Sequence, residues 1–358
     1  MTGTGRGVGR LIAATGVSMV GQGAVLSAVP LLAATLTRDP VAVSVVSAAP
    51  YGAWLVIGLV AGALVDRWPL IRTMIGADLF RALVLGALSA AILAGVASLP
   101  LLVAAVFLIA VAGCFFDPAA QAAIPTLTSR DGQALAVANS RLWSLDVLGR
   151  SLLGPPLGAA LFAAAAVAPF GLNAVTFVIS GALLLGIHRA GHHAPSSPPV
   201  PIHTAVKAGL VFLAGSRPLR LLVAGMGAYN FAYNLAAATL VLFAQDYLHL
   251  DARGFGLLLA TLAVGGLAGG ALAPRINEHL SAPAVYAVGL AVQGAGWATV
   301  ALVQIPVVSG IALALVGLAS TVVSVVGGTA RQLLTPDGLL GRVSAATRVV
   351  GIGAAALG

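Results

Sequence analysis

Asp146 and Arg150 place opposite charges four residues apart inside a long apolar segment, at about 138–162. If a helix begins near residue 138, its rise of 1.5 Å per residue puts Asp146 about 12 Å and Arg150 about 18 Å from its start. A charge at that depth of a bilayer costs on the order of 2.5–3.5 kcal/mol and almost always faces the bundle interior or a wet cavity. The i, i+4 spacing allows two interpretations. Asp146 binds a proton while Arg150 sets its proton affinity or binds an anionic substrate group, or the pair is a permanent structural bridge between helices.

Amide and aromatic side chains occupy the middle of other apolar segments. Together they suit a large, partly apolar ligand, because ligand sites combine apolar and aromatic walls with a few polar groups. In the alternative interpretation each only forms an interhelical hydrogen bond, worth about 0.6 kcal/mol. The candidates for a substrate cavity are Gln22, Tyr51, Trp54, Asn139, Tyr229, Asn230 and Asn234, with Asn230 the best single candidate.

The composition defines the class of protein. The 358 residues are 59% apolar and only 8% charged. This excludes a soluble enzyme, since soluble domains are about a quarter charged, and it excludes a disordered chain. Cys114 is the only cysteine, so the sequence predicts neither a disulfide nor a multi-cysteine metal site, and it has no glycine-rich loop for ATP. The basic residues lie between apolar runs rather than on one face, which argues against a nucleic-acid partner.

The chain is therefore predicted to be an all-α polytopic membrane protein, because about 20 mostly apolar residues can cross a bilayer as a helix. With the N-terminus inside, twelve of the 18 Lys and Arg residues are cytoplasmic and only Arg38 and Arg253 lie outside. The positive-inside rule therefore puts the N-terminus in the cytoplasm. We number eleven candidate spans 1 to 11, at about 10–36, 41–65, 73–95, 99–123, 138–162, 168–189, 219–244, 254–274, 282–303, 306–328 and 344–358.

A proline-rich polar segment and an internal repeat divide the chain into two halves. The run from Pro195 to Pro201 predicts a flexible linker. Span 2 ends in Gly62-Ala-Leu-Val-Asp-Arg67 and span 8 in Gly270-Ala-Leu-Ala-Pro-Arg275, at an offset of 208 residues. Such a parallel repeat is known from transporters. We predict an N-terminal six-helix half at 1–190, a cytoplasmic linker at 191–218 and a C-terminal half at 219–358.

The same offset predicts that the C-terminal half is incomplete, with about 4.5 helices. Adding about 207 residues to the ends of spans 5 and 6 places the ends of an eleventh and a twelfth helix beyond Gly358. A chain that stopped halfway through a hydrocarbon crossing would leave backbone carbonyls unsatisfied. We therefore expect a C-terminal truncation, with the eleventh helix clipped and the twelfth missing.

Five short segments, in order along the chain, resemble motifs of the major facilitator superfamily. Within that superfamily they are most similar to the group of enterobactin exporters and macrolide-efflux proteins. The resemblance covers the whole chain and implies two pseudo-symmetric six-helix halves around a site near the membrane midplane. The segments are Gly62–Arg67 with Arg72, Phe115–Pro125, Gly154–Gly158, Leu172–Phe177 and Arg331–Val343.

The resemblance implies a cytoplasmic gate at the loop between spans 2 and 3. Asp66 would contact the N-terminus of the eleventh helix, where free N–H groups attract a carboxylate, and would hold the outward-facing state. Asp117 would pair with Arg72 or Arg67. In the alternative, these charges only fix the topology. The residues implied are Gly62, Asp66, Arg67, Arg72, Asp78, Arg81 and Asp117, together with Arg331, Gly341 and Arg342 of the loop between spans 10 and 11.

Span 5 carries Gly154, Pro155 and Gly158 beyond its charged pair. Proline removes a backbone donor and kinks a helix, whereas glycine permits close contact between helices. We predict a hinge or a tight packing seam here, with ordinary packing of a membrane helix as the alternative.

The resemblance also implies an activity. We expect a secondary active transporter that exports a small hydrophobic or amphipathic compound, a drug or siderophore, by proton antiport, with the proton gradient as energy source and no cofactor or metal. It would be a monomeric, non-enzymatic, multi-pass protein of the bacterial inner membrane, with the lipid bilayer and the small-molecule substrate as partners. A metabolite symporter or uniporter is the alternative within transport. A non-transporting sensor or scaffold and a non-functional truncated remnant are the alternatives of another class.

Overall fold

The fold consists of helices joined by short connections. The computed structural model describes residues 3–65, 67–127, 138, 141–142, 144–187, 211–335 and 340–358, and no strand occurs among them. The helices are α1 (Gly3–Leu36), α2 (Pro40–Val65), α3 (Leu70–Leu93), α4 (Leu99–Leu127), the π-helical segment π1 (Asp146–Leu153), α5 (Gly154–Ala164), α6 (Ala168–Leu185), α7 (Arg217–Ala237), α8 (Leu240–Asp246), α9 (Ala252–His279), α10 (Ala282–Val303), α11 (Pro306–Leu334) and α12 (Leu340–Leu357).

Nine helical segments of the described chain are long and apolar enough to cross a membrane. They correspond to spans 1–6 and 8–10, and a helix satisfies its backbone hydrogen bonds internally, as the bilayer requires. Span 7 differs from the prediction because Thr239 leaves the helical region (φ −104°, ψ 4°) and separates α7 from α8. Span 11 corresponds to α12, whose apolar part is limited to Ala346–Leu357.

The helices form two compact units, Met1–Pro199 and Val200–Gly358. In the first unit α1 packs against α5 and α6, α2 packs against α4, and α3 packs against both α4 and α6. In the second unit α9 and α10 pack against α11, and α7 packs against α10 and α12. Each unit buries its own apolar core, with Phe177 fully buried in the first and Leu313 in the second.

Glycines let α1 and α5 approach each other at backbone distance. A Cβ atom at Gly158 would collide with the carbonyl oxygen of Ala24, and one at Gly154 would collide with the Cα of Gly23. Across the same contact, the Ser27 hydroxyl donates a 2.8 Å hydrogen bond to the Pro155 carbonyl. Helices in lipid associate through such close packing and hydrogen bonds, because lipid tails are as apolar as the side chains. We call this contact the α1–α5 seam.

A second glycine contact joins α9 to α11 in the other unit. A Cβ atom at Gly265 would collide with the carbonyl oxygen of Ala314, and one at Gly317 would collide with that of Leu262. The two units therefore use the same device to bring a pair of helices together.

A buried ion pair lies in the core of the first unit. Arg81 Nη1 is 3.6 Å from Asp78 Oδ1, and the two side chains are 4% and 0% exposed. The Arg81 guanidinium lies over the Phe116 ring of α4 at 5.0 Å and over the Phe177 ring of α6 at 5.2 Å, a cation–π arrangement. The helical rise puts Asp78 about 12 Å and Arg81 about 17 Å along α3. The pair therefore joins three helices in the middle of the unit.

Asp78→Asn should destabilise the protein, because it leaves the buried Arg81 guanidinium without the carboxylate that lies 3.6 Å away. Breaking a buried pair costs on the order of 3–5 kcal/mol, so we expect the melting temperature in detergent to fall by at least about 5 °C. Fluorescence-detected size exclusion after heating measures it. Asp39→Asn is the control, since Asp39 is exposed and caps α2 at the Val41 N–H, which Asn also does. Equal melting temperatures would contradict the assigned role.

Gly158→Ala should disrupt the α1–α5 seam, because the added methyl group meets the backbone of Ala24. Overpacking of this kind typically costs about 1–3 kcal/mol. Gly76→Ala is the matched control, since a Cβ atom at this exposed position of α3 meets nothing within 4 Å and Ala is about 1 kcal/mol better than Gly in a helix. The same heating assay should separate the two variants. If Gly158→Ala has the same melting temperature as the wild type, the seam is not required for stability.

Candidate functional site

The charged pair of span 5 lies on π1. Arg150 Nη1 is 3.8 Å from Asp146 Oδ1, and the side chains are 50% and 39% exposed. Both residues belong to one helical segment, so the pair itself does not bridge two helices. Arg150 also interacts electrostatically with Tyr51 of α2. In contrast to the buried pair on α3, these two charged side chains are partly exposed.

The prolines that follow account for the widened turn. Pro155 and Pro156 have no N–H, and in an α-helix their rings would crowd the carbonyls four residues earlier. The π-helical turn shifts those carbonyls, and π1 ends at Leu153, directly before the prolines. π-helical turns are rare and frequently occur at functional sites. The charged pair is evident from the sequence, whereas the π-helical geometry that carries it is not.

The predicted hinge residues Gly154, Pro155 and Gly158 are buried in the α1–α5 seam. Backbone atoms of α1 lie against both glycines. The structure therefore has a tightly packed contact at the α1–α5 seam, and a hinge motion there stays a prediction.

The loop between α2 and α3, where a gate is predicted, is described in part. Asp66 lies outside the described residues, and Gly62 is described only as backbone within α2. Close to them the Trp68 ring stacks on Phe115 of α4, with ring centroids 5.7 Å apart and planes at 11°. This contact ties the loop to α4. This contact was not predicted, because a single aromatic residue in a loop has no periodicity.

The cations of this loop have no acidic partner among the described residues. Arg67 and Arg72 are exposed, Asp117 is half-buried on α4, and no ion pair within 4.0 Å joins them there. Asp117 interacts electrostatically with the buried Arg81 instead. The reason is that α3 packs along α4 and brings Arg81 towards it. The expected pairing of Asp117 with Arg72 or Arg67 is therefore corrected.

The polar candidates of the first unit do not form one cluster. Gln22 donates a 2.9 Å hydrogen bond to Ser18, four residues earlier in α1. Tyr51 and Trp54 are half-buried on α2, and Asn139 lies outside the described residues. Of these residues, Tyr51 interacts electrostatically with Arg150 of the charged pair.

The polar candidates of the second unit lie on α7. Tyr229 is only 3% exposed, and its backbone carbonyl accepts a 3.3 Å hydrogen bond from the Gln293 amide. The Asn234 amide donates a 2.9 Å hydrogen bond to the Asn230 carbonyl, so Asn234 is engaged within α7 itself. Tyr229 and Asn230 line a cavity.

This cavity has a volume of about 150 Å³ and lies between α7, α10, α11 and α12. Arg331 also lines it. Arg331 was predicted to lie in the loop between spans 10 and 11, and this prediction is corrected because α11 continues to Leu334. Gly341 and Arg342 belong to α12, of which only the backbone is described at these positions.

Tyr286 also lines the cavity, although it was not among the residues predicted from the sequence. A Cβ atom at Gly327 would collide with the Tyr286 hydroxyl, so glycine makes room for the phenol ring. The two residues are far apart in the sequence, and no local pattern connects them.

Comparison with known proteins agrees with this architecture. A family model described as transmembrane secretion effector matches residues 8–358. No curated protein sequence matches the chain. Among solved structures, a bacterial homologue of the human lysosomal transporter Spinster has a TM-score of 0.77 at 11% identity, covering 100% of this chain and 82% of that one.

Two other solved structures are similar in the same way. The nucleoside transporter NupG has a TM-score of 0.79 at 10% identity, covering 98% of this chain and 89% of its own. A bacterial homologue of the iron transporter ferroportin has a TM-score of 0.75 at 18% identity, with coverages of 98% and 90%. These likenesses show the fold, and they confirm the predicted all-α major facilitator architecture.

Since the family model spans almost the whole chain, the chain belongs to the transmembrane secretion effector family of the major facilitator superfamily, and it is a membrane transporter rather than an enzyme.

Proposed function

We propose that the chain exports a small hydrophobic or amphipathic compound across the bacterial inner membrane by alternating access, in exchange for protons. The observation that carries the proposal is the accessible Asp146–Arg150 pair on π1. Charges inside a membrane span are costly and mark ion pathways and proton relays. A carboxylate that is 39% exposed can exchange a proton, whereas the buried Asp78 has no such access.

The pair couples proton uptake to a movement of charge. While Asp146 is ionised, it attracts the Arg150 guanidinium at 3.8 Å. Protonation removes that attraction and frees Arg150 for Tyr51 or for an anionic group of a ligand. One site thus alternates between a paired and an unpaired state, as an antiporter needs.

The identity of the cargo is inferred from the chain's own residues. The family description refers to secretion, which supports export. The similar solved structures are described as transporters of different kinds, so the fold does not select the substrate. The cavity of the second unit combines aromatic, amide and apolar walls, which suit a drug-like or siderophore-like compound. This is the cargo class of the enterobactin-exporter and macrolide-efflux group that the sequence resembles.

The loop between α2 and α3 is proposed to gate the cytoplasmic side. Trp68 stacks on Phe115 and anchors the loop to α4, while Arg67 and Arg72 are exposed and available to a partner. Asp66 would supply the carboxylate for a helix N-terminus, where it is favoured.

Asp146→Asn should abolish proton-coupled export, because the amide cannot exchange a proton. We expect proteoliposomes loaded with a pH-sensitive dye to lose proton movement upon addition of ethidium, a macrolide or a catecholate siderophore. Asp146→Glu should retain at least part of the coupling, since the carboxylate is preserved. Asp39→Asn is the control for an exposed carboxylate outside the span. Substrate movement without proton movement in Asp146→Asn would indicate a uniporter, and unchanged coupling would reject Asp146 as the proton site.

The N-terminus and the linker should lie in the cytoplasm, as the positive-inside rule predicts. Lys207 is the only lysine of the chain and falls in the predicted linker. A membrane-impermeant amine reagent should therefore label the protein in inside-out vesicles and not in spheroplasts. The variant carrying Lys207→Arg and Arg253→Lys is the control, because its only lysine falls in a predicted outer loop and should react in spheroplasts. Labelling of the wild type in spheroplasts and of the variant in inside-out vesicles would show that the orientation is opposite to the proposed one.

A further inference from the structure

The cavity of the second unit contains a cation without a counter-charge among the described residues. Arg331 is the charged residue that lines it. In the described chain no carboxylate lies within 4.0 Å of Arg331, and its Nε atom is buried and makes no hydrogen bond. A buried charged donor left unpaired costs more than a neutral one, so this geometry favours an anion as occupant.

Neutral polar groups accompany the guanidinium. The Tyr286 hydroxyl interacts electrostatically with Arg331, and the Asn230 amide lines the same space. The Tyr229 hydroxyl is buried and interacts with the side chain of Ser320. The Ser324 hydroxyl is already engaged, since it donates to the Ser320 carbonyl. The cavity therefore provides one positive charge and a small number of neutral donors, which balance a single negative charge.

The rest of the wall is apolar. Leu222, Val223 and Met226 of α7 and Val323 of α11 line the cavity. Its volume of about 150 Å³ is of the size at which an engineered apolar cavity takes up benzene. A ligand that fits both parts of the wall has an apolar body and one anionic end.

We propose that this cavity binds the carboxylate end of a small amphipathic organic anion, with Arg331 as the charge partner. Guanidinium is suited to the task because its planar fork matches the two oxygens of a carboxylate. The inference rests on the proposed function in one respect, namely that such an anion, or the carboxylate of a larger compound, is part of the cargo. It places ligand recognition in the second unit and names its chemistry.

The test uses radiolabelled benzoate and the full chain in lipid nanodiscs. Benzoate has an apolar ring and a single carboxylate, and benzamide is its neutral counterpart. Binding is measured by scintillation proximity, without transport. We expect the wild type to bind benzoate and benzamide to compete at least about tenfold more weakly, as the loss of a charge-assisted hydrogen bond predicts.

Three variants and a control test the assignment. Arg331→Gln should weaken benzoate binding at least about tenfold, and Arg331→Lys should lose less because the charge remains. Gly328→Val should abolish binding, because Gly328 lines the cavity and a Cβ atom there meets nothing within 4 Å, so the side chain fills space without a backbone clash. Arg253→Gln removes an exposed cation of the same unit and should leave binding unchanged.

The outcomes separate this proposal from the proposed function. Wild-type affinity in Arg331→Gln or in Gly328→Val, or equal competition by benzamide, would overturn the anion site. If Arg331→Gln fails to fold, the benzamide comparison and Gly328→Val still decide the question. Benzoate binding by a protein that moves no substrate in proteoliposomes would keep the site and reject export. Proton-coupled transport of ethidium by a protein that does not bind benzoate would reject the anion site and keep the proposed export function.

Discussion

Contact between helix backbones through glycine is the constraint on which both units depend. In lipid no hydrophobic force drives one apolar helix onto another, so the attraction has to come from close packing and from interhelical hydrogen bonds. Gly158 lies against the carbonyl of Ala24, and Gly265 lies against that of Ala314. This packing also fixes the helices that carry the candidate functional residues. The α1–α5 seam fixes the segment directly after the charged pair, and the α9–α11 seam fixes the helix that carries Arg331.

The parts of the fold that depend on hydropathy could be predicted from the sequence. A long apolar segment predicts a membrane-spanning helix, because a span must satisfy its backbone hydrogen bonds within one helix. The helices α2, α4 and α10 begin and end close to the predicted residues. The charged pair at Asp146 and Arg150 was predictable for the same reason, since two charges inside an apolar run are conspicuous. The alternative that this pair bridges two helices is not what the structure has, because both residues belong to π1.

What could not be predicted depends on contacts between distant residues or on local backbone geometry. The π-helical turn arises where two prolines withdraw donors from an otherwise regular helix, and the break at Thr239 has no proline or glycine to announce it. The cavity requires Tyr286 to enter space left by Gly327, a pairing that no local pattern encodes. Likewise, Asp117 interacts electrostatically with Arg81, which α3 carries towards α4, and no local pattern of the sequence announces this.

The two units bury different polar groups in helices that the repeat pairs. Arg81 lies on α3 and Gln293 lies on α10, and the repeat pairs these two helices as spans 3 and 9. The first is a buried cation paired with Asp78, and the second is a buried amide that donates to the Tyr229 carbonyl. The proposed proton site is a carboxylate inside an apolar span of the first unit, Asp146. Recognition of an anion needs a cation that no carboxylate already neutralises, and among the described residues of the second unit Arg331 meets that condition. The proposed proton site and the proposed anion site therefore belong to different units.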